Sequence, residues 1–301
     1  MNSIVFFGTE DFSLTALEAL VNAGFPVVTV VTKPDTPKGR GHAMTAPAVK
    51  SFALEHGITV LQPQKIADIE DEITKIDKPL GVLVSFGKII PQRIIDLFTP
   101  GIINVHPSLL PKYRGPSPIE SAILNGDQKT GVSIMQLIAA MDAGPVYGYT
   151  PLDLKGTETR AELYTALGGL GAETLLKLLP LIAEGKATGL AQDDDLASYC
   201  KLITKSDGVI DWSKSALRIE REIRAYAGWP QSRTTLGAVE VIITKAEVIN
   251  RQNDPGKITV EDHDLIIGTG ENSLRIVTLK PLGKKEMPVS AFLSGYNTQL
   301  S

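Results

Sequence analysis

Ile4-Val5-Phe6-Phe7-Gly8-Thr9-Glu10, a helix-patterned stretch from Ser13 to Asn22 that Gly24 closes, and Val27-Val28-Thr29-Val30-Val31-Thr32 together decide the fold class. Both apolar runs are continuous and rich in β-branched or aromatic residues, the pattern of strands buried on both faces. The segment between them has the length and the glycine stop of a crossover helix. Strand, helix and strand within about 30 residues make a βαβ unit, and such units build parallel sheets. The alternation continues. Pro47 suits the first turn of a helix that reaches His56 and stops at Gly57, and Ile58-Thr59-Val60-Leu61 reads as a third strand. Residues 81–86 and 102–105 supply two more, with Pro91 opening a helix between them. Residues 117–125 predict another helix, 132–138 and 146–152 the last strands, and 158–184 a long helix ended by Gly185.

A chain of 301 residues is long enough for two domains that each bury a core. Residues 186–205 carry Asp193-Asp194-Asp195 and little apolar periodicity, the composition of a linker. The expected organisation is a first domain over 1–189, a linker over 190–205 and a second domain over 206–301. In the second, one helix over 213–227 stands between Trp212 and Trp229-Pro230, and short strands follow near 240–248, 256–260, 264–267 and 274–279. The fold class expected is α/β: a Rossmann-like, mostly parallel sheet in the N-terminal domain and a small, OB-like β-barrel in the C-terminal one.

Hydrophobic residues make up 43% and charged residues 21%, the balance of a globular protein and not of a disordered or fibrous one. The start of the chain has no basic leader, and no run reads as the roughly 18 apolar residues of a membrane span, so a cytoplasmic protein is expected. Cys200 is the single cysteine and the four histidines lack metal-ligand spacing, so neither a disulfide nor a metal is expected. With a net charge of −4 the chain does not draw nucleic acid by bulk charge, and any RNA contact must be local. The default expectation for assembly is a monomer.

Gly8-Thr9-Glu10 follows the first strand at the end where open α/β sheets bind ligands, but G-x-G-x-x-G is absent, and Gly8 reads equally as a tight turn. Gly101-Ile102-Ile103-Asn104-Val105-His106-Pro107-Ser108-Leu109-Leu110-Pro111 says more. Asn104 and His106 are two apart at a strand end, so their side chains leave the same face, and Pro107 keeps His106 extended. By residue types alone this stretch reads equally as a polar strand terminus before a proline loop. Asp142, in Met141-Asp142-Ala143-Gly144, follows a buried-looking strand and supplies a carboxylate that can pair with an imidazole; an ordinary Asx turn is its plain alternative. His42, in a Gly-rich basic loop, His56, at a helix end, and His263, in an acidic turn, read as surface residues.

Asn104 to Gly115 (Asn-Val-His-Pro-Ser-Leu-Leu-Pro-Lys-Tyr-Arg-Gly), with Asp142 following His106 by 36 positions, resembles the Asn-His-Asp signature of the enzymes that transfer formyl from 10-formyltetrahydrofolate. Within them the chain is similar to the methionyl-tRNA formyltransferase family. Phe6 to Phe12 resembles its opening strand and turn, Lys33 to Gly41 its inserted loop at the tRNA acceptor end, and Trp212 with Gly228-Trp229-Pro230 its C-terminal domain. The resemblance covers nearly the whole chain. It implies Asn104, His106 and Asp142 as catalytic residues, Ser108, Leu109, Leu110 and Pro111 as the folate-binding segment, and Lys38, Arg40 and Gly41 as contacts to the acceptor. It implies 10-formyltetrahydrofolate as co-substrate, initiator methionyl-tRNA as partner and a tRNA-binding second domain. Transfer to an amino-sugar nucleotide, and hydrolysis of 10-formyltetrahydrofolate, are the alternatives that the same trio permits. A dinucleotide-binding module accounts for the βαβ pattern but leaves the trio unexplained.

The sequence departs from that pattern at Pro116-Ser117-Pro118-Ile119-Glu120, where the family usually has Ala-Ala-Pro-Ile-Gln. Residues 206–301 hold 12 Lys and Arg against 12 Asp and Glu, so the second domain has no net positive charge. Local clusters remain: Arg218, Arg221 and Arg224 at helical spacing, and Lys280, Lys284 and Lys285, which read either as an RNA face or as solvated surface.

Overall fold

The computed structural model describes residues 2–38 and 43–296. Contacts divide the chain into two compact units, Met1–Pro118 with Lys129–Asp153 and Tyr164–Cys200 in one, and Ile119–Gln128 with Leu154–Leu163 and Lys201–Ser301 in the other.

The first unit opens with β1 (Ser3–Gly8), α1 (Asp11–Asn22) and β2 (Val27–Val31). β2 and β1 pair in parallel, as the continuous apolar runs predicted. A short hairpin of β3 (Thr36–Lys38) and β4 (Ala43–Thr45) follows, then α2 (Ala48–Glu55), β5 (Thr59–Leu61), α3 (Glu70–Ile73), β6 (Pro79–Val84), α4 (Gln92–Ile95) and β7 (Ile102–His106). Next in the chain, α5 (Pro118–Asn125) falls almost wholly in the second unit; β8 (Lys129–Gln136) and β9 (Val146–Asp153) belong to the first, as does α6 (Arg160–Ala183) beyond its first turn. The sheet has the order β5-β2-β1-β6-β7-β8-β9. Strands β5 to β7 are parallel, while β8 runs antiparallel to β7 and β9 to β8. The Rossmann-like, mostly parallel sheet is thus present.

Phe7 shows why this sheet holds. It is fully buried and meets Phe86 and Phe98 edge-on at 5.5 and 5.7 Å, in a cluster with Val5, Val31, Ile94 and Ile102. Gly8 is explained by close approach: a Cβ there would come within 2.7 Å of the Ser13 Cβ in α1, so helix and strand can only meet this tightly with glycine. The expectation about apolar runs needs correction at α6. Its 24 residues are long and apolar enough, by length and composition, to cross a membrane. Here Leu167, Leu175, Leu179 and Ile182 are buried, so the apolar surface is used in packing.

The second unit carries α7 (Ala216–Ala225), β10 (Ser232–Leu236), β11 (Val239–Ile249), β12 (Ile258–Glu261), β13 (Asp264–Gly268), β14 (Ser273–Pro281), β15 (Met287–Pro288) and α8 (Val289–Tyr296). Its antiparallel sheet has the order β10-β11-β14-β13-β12, with β15 added on β14. Ile219 and Ile223 of α7 and Phe292 of α8 join Val241, Ile243, Leu265, Leu274 and Leu279 in one core. The sequence reading missed β10 and α8. Ser-Arg-Thr-Thr-Leu has no apolar run, and α8 contains two serines and a glycine; packing overrides both propensities.

The arginines of α7 do not stand free. Arg218 bonds Glu222 through Nε (3.0 Å) and the Leu124 carbonyl through Nη1 (2.9 Å). Arg224 forks onto Glu220 at 2.6 and 2.9 Å and reaches the Glu158 carbonyl at 2.8 Å. The Arg221 guanidinium lies against Gly126, where a Cβ would come within 2.1 Å of Nη2. Arg218 and Arg224 are thus bonded within the unit itself. Lys284 and Lys285 are exposed.

Candidate active site

The carboxyl ends of β1, β2, β6 and β7 meet on one edge of the parallel sheet, where open α/β folds place ligands. Thr9 ties three of them together: its Oγ1 donates to the Phe86 carbonyl (3.2 Å) and accepts from the Lys33 amide (3.3 Å) and the Thr32 hydroxyl (3.4 Å). Beside it, Ser85 and Gly87 have φ of +46 and +67°, a sharp turn off β6. The left-handed φ at Gly87 is what favours glycine there, since the Lys33 ammonium, 2.6 Å from where a Cβ would lie, ends a flexible side chain that can move aside.

β7 delivers Asn104 and His106 to this edge. Their partners across β8 are Met135 and Ser133, and both are nearly closed to solvent, at 5% and 4% exposure. Asp142 approaches from the loop after β8, with φ of +49°, a left-handed conformation that aspartate tolerates better than most residues. The three side chains predicted from sequence converge: Asn104 Nδ2 lies 3.5 Å from Asp142 Oδ1, and His106 Nδ1 lies 3.7 Å from Asp142 Oδ2.

Those two distances are long for hydrogen bonds, and the firm bonds lie elsewhere. His106 Nε2 is 3.0 Å from the Tyr113 carbonyl, which can only accept, so Nε2 carries a proton in either charge state. The Tyr113 carbonyl thus orients the imidazole, and Nδ1 is the nitrogen left to face the Asp142 carboxylate. Asp142 Oδ2 in turn accepts the Gly115 amide at 2.8 Å. One turn, Tyr113 to Gly115, thus holds both the imidazole and the carboxylate. Gly115 has φ of +119°, and a Cβ there would lie 2.6 Å from the Cys200 carbonyl, so no other residue presents its amide in this way.

Behind the trio lies a polar cluster that the sequence did not signal. Arg114 is 2% exposed, the largest side chain among the fully buried ones. Its guanidinium donates to Gln192 Oε1 from Nε (3.0 Å) and Nη2 (2.9 Å), to Asp194 Oδ1 (2.7 Å) and to the Tyr199 hydroxyl (3.2 Å). Burial works against its charge, but the bonds to Asp194 and Tyr199 outweigh that and leave its pKa above the ordinary value.

Ser108, Leu109, Leu110 and Pro111 run from His106 toward this turn. Ser108 Oγ donates to the Lys112 carbonyl at 2.5 Å, and Ser133 Oγ bridges the Ser108 carbonyl (2.6 Å) and the Leu110 amide (3.0 Å). Leu110 is 4% exposed and packs with Met135 and Val146, whereas Leu109 and Pro111 are half-buried. A ligand along this segment therefore meets backbone groups, Leu109 and Pro111. In the divergent stretch after Gly115, the Ser117 amide is 3.3 Å from Cys200 Sγ, and Glu120, 5% exposed, pairs with Arg160 at 2.7 Å. Lys38 ends β3, and Arg40 and Gly41 lie outside the described residues. Among the described residues no cluster of His, Cys, Asp and Glu could hold a metal ion.

The family model for formyl transferase matches residues 1–179, and that for the formyl transferase C-terminal domain matches 202–297. The chain is 40% identical to the methionyl-tRNA formyltransferase of Pseudoalteromonas translucida over 299 residues, covering 97% of this chain and 93% of that one. It is 37% identical to the enzyme of the same name from Staphylococcus epidermidis, with 100% and 98% covered. Among solved structures, an N-formyltransferase from Helicobacter canadensis, crystallised with folinic acid and dTDP-3-aminofucose, superposes with a TM-score of 0.71 at 18% identity over 95% of this chain and 100% of that one. HypX from Aquifex aeolicus superposes at 0.68 and 17% identity, over 100% of this chain and 48% of that one. Both share the fold. Matched from end to end by relatives of one name, and by both family domains, this chain belongs to the formyl transferase family, in its methionyl-tRNA formyltransferase branch.

Proposed function

We propose that this chain transfers formyl from 10-formyltetrahydrofolate to the amino group of methionine carried by initiator tRNA, as a cytoplasmic monomer. The observation that carries the reading is the convergence of Asn104, His106 and Asp142 at the end of β7, in a chain 40% identical to a methionyl-tRNA formyltransferase. Lys38, Arg40 and Gly41 would meet the acceptor end, and residues 206–301, joined through 190–205, would hold the tRNA. Ser108 to Pro111 would line the folate.

The reaction is acyl transfer. The amine attacks the formyl carbon, an oxyanion develops on the formyl oxygen, the new N–C bond forms, and the bond from that carbon to the folate nitrogen breaks. Asn104 Nδ2 is a donor without charge on a side chain only 5% exposed, where a fixed dipole acts more strongly on a developing oxyanion than it would in water. His106 offers Nδ1, since Nε2 is committed to Tyr113. With Asp142 beside it, Nδ1 and the carboxylate form one acceptor for the proton the amine loses, and the imidazolium so formed returns a proton to the departing folate nitrogen. Asp142 stabilises that charged intermediate state, as a carboxylate next to an imidazolium does.

Four parallel incubations with 10-formyltetrahydrofolate test the reading: methionyl-tRNA, uncharged tRNA, an amino-sugar nucleotide, and buffer alone. Release of tetrahydrofolate with methionyl-tRNA only is the expected result. Equal release in buffer points to hydrolysis, and release with the nucleotide points to a sugar acceptor; either overturns it.

A further inference from the structure

The loop that carries Asp142 is held by a side chain from outside both matched family segments. Gln192 lies between residue 179, where one ends, and residue 202, where the other begins. Its Nε2 donates to the Asp142 carbonyl at 2.8 Å and to the Gly144 carbonyl at 2.7 Å, using both N–H groups. Its Oε1 takes two bonds from the buried Arg114 guanidinium, at 3.0 and 2.9 Å. A guanidinium can only donate, so the amide oxygen must face it. The Arg114 fork therefore sets which way the Gln192 amide points, and with it the availability of both N–H groups to the loop. Arg114 is itself fixed by Asp194 and Tyr199.

Two grips then define the carboxylate. Gln192 fixes the backbone on either side of Ala143, in a stretch where Asp142 is left-handed and Gly144 approaches the Gln136 carbonyl so closely that a Cβ would lie 1.9 Å from it. The Gly115 amide fixes the side chain. We propose that Gln192, aligned by Arg114, is a positioning residue for formyl transfer: by gripping the carbonyls of Asp142 and Gly144 it keeps the Asp142 carboxylate beside Asn104 and His106. The inference rests on the formyl-transfer reading for its kinetic consequence and on geometry alone for its structural one.

Gln192→Glu separates a positioning role from a space-filling one. The variant keeps the size of the side chain and still accepts from Arg114, but it has no N–H to give and turns an oxygen toward two carbonyls. The measurements are kcat and KM for formyl transfer to methionyl-tRNA, the melting temperature, and hydrogen exchange of the Gly115 amide, which reports the Asp142 bond without any reaction. The expected result is a kcat lower by about 10- to 100-fold, the cost of misplacing a reacting group by an ångström or less. KM for 10-formyltetrahydrofolate should stay within about twofold, since the uniform binding contacts are untouched. Gly115 should exchange about tenfold faster, because its amide is protected only while the carboxylate stays in place. Gln192→Ala should show the same split. Unchanged kcat and Gly115 exchange in both variants overturn the proposal, as does a loss of kcat that follows a fall in melting temperature with KM rising in step. If the wild-type protein transfers no formyl, the functional reading fails by itself, and the Gly115 exchange still decides whether Gln192 holds Asp142.

Discussion

His106→Ala is expected to lower kcat by about two to four powers of ten, the usual contribution of a positioned proton-transfer group. The geometry specifies what is lost. Nε2 already serves the Tyr113 carbonyl, so Nδ1 alone meets the reacting groups, and no other titratable nitrogen lies beside Asp142 in the bonds described. A second effect should accompany the first. The Tyr113 carbonyl, in a buried place, loses the imidazole N–H and keeps the weak Cys200 Sγ donor at 3.7 Å, which costs about 1 kcal/mol of stability unless water enters the space the ring leaves. Quenched-flow single turnovers and a thermal melt measure the two effects. A variant that melts a few degrees lower yet transfers formyl at the wild-type rate would show that His106 is a structural residue of the Tyr113 turn.

Asn104→Ala should cost about two to three powers of ten in kcat, the range seen when one oxyanion donor is removed, with KM for either substrate little changed. Asn104 is 5% exposed, and among the described residues its side chain makes only a long bond to Asp142, so its removal disturbs little that the fold depends on. Asn104→Asp is the sharper companion. It preserves the shape, replaces the donor with an acceptor and sets two carboxylates about as far apart as Nδ2 and Oδ1 are now, at 3.5 Å. Repulsion and the lost donor act in the same direction, so this variant should be no faster than Asn104→Ala. A kcat near wild type for either would remove the amide from the mechanism.

The sequence made the sheet legible because β1 and β2 are uninterrupted apolar runs around an amphipathic helix; period and length sufficed. The convergence at β7 was legible through spacing, since residues two apart on a strand share a face. The bonds that hold the trio were not. Two of them use main-chain groups, the Tyr113 carbonyl and the Gly115 amide, and a backbone atom carries no mark in the sequence. Arg114 entered the reading only as one position of the Asn104 to Gly115 signature, with no role of its own, and Gln192 sat in a stretch with the composition of a linker; only the fold brings Gln192 to the Asp142 loop. Nor were the partners of Arg218 and Arg224 legible, for helical spacing displays a row of charges and says nothing of Glu220, Glu222 or the carbonyls of Leu124 and Glu158 that they bond. Likewise α6 is apolar enough for a membrane by composition, and only its burial shows what the apolar surface does.

The measurement closest to the central claim is a single turnover of Asp142→Asn with 10-formyltetrahydrofolate and methionyl-tRNA both saturating. Asparagine keeps an oxygen for the Gly115 amide and the same shape between Asn104 and His106; it removes the charge beside Nδ1 and turns its NH2, in place of Oδ1, toward Asn104 Nδ2. If Asn104, His106 and Asp142 carry the transfer together, the rate of formyl appearance on methionine falls at least about 100-fold, as expected when the partner of a proton-transfer group is lost, while the melting temperature holds. A single-turnover rate near that of the wild type would contradict the account.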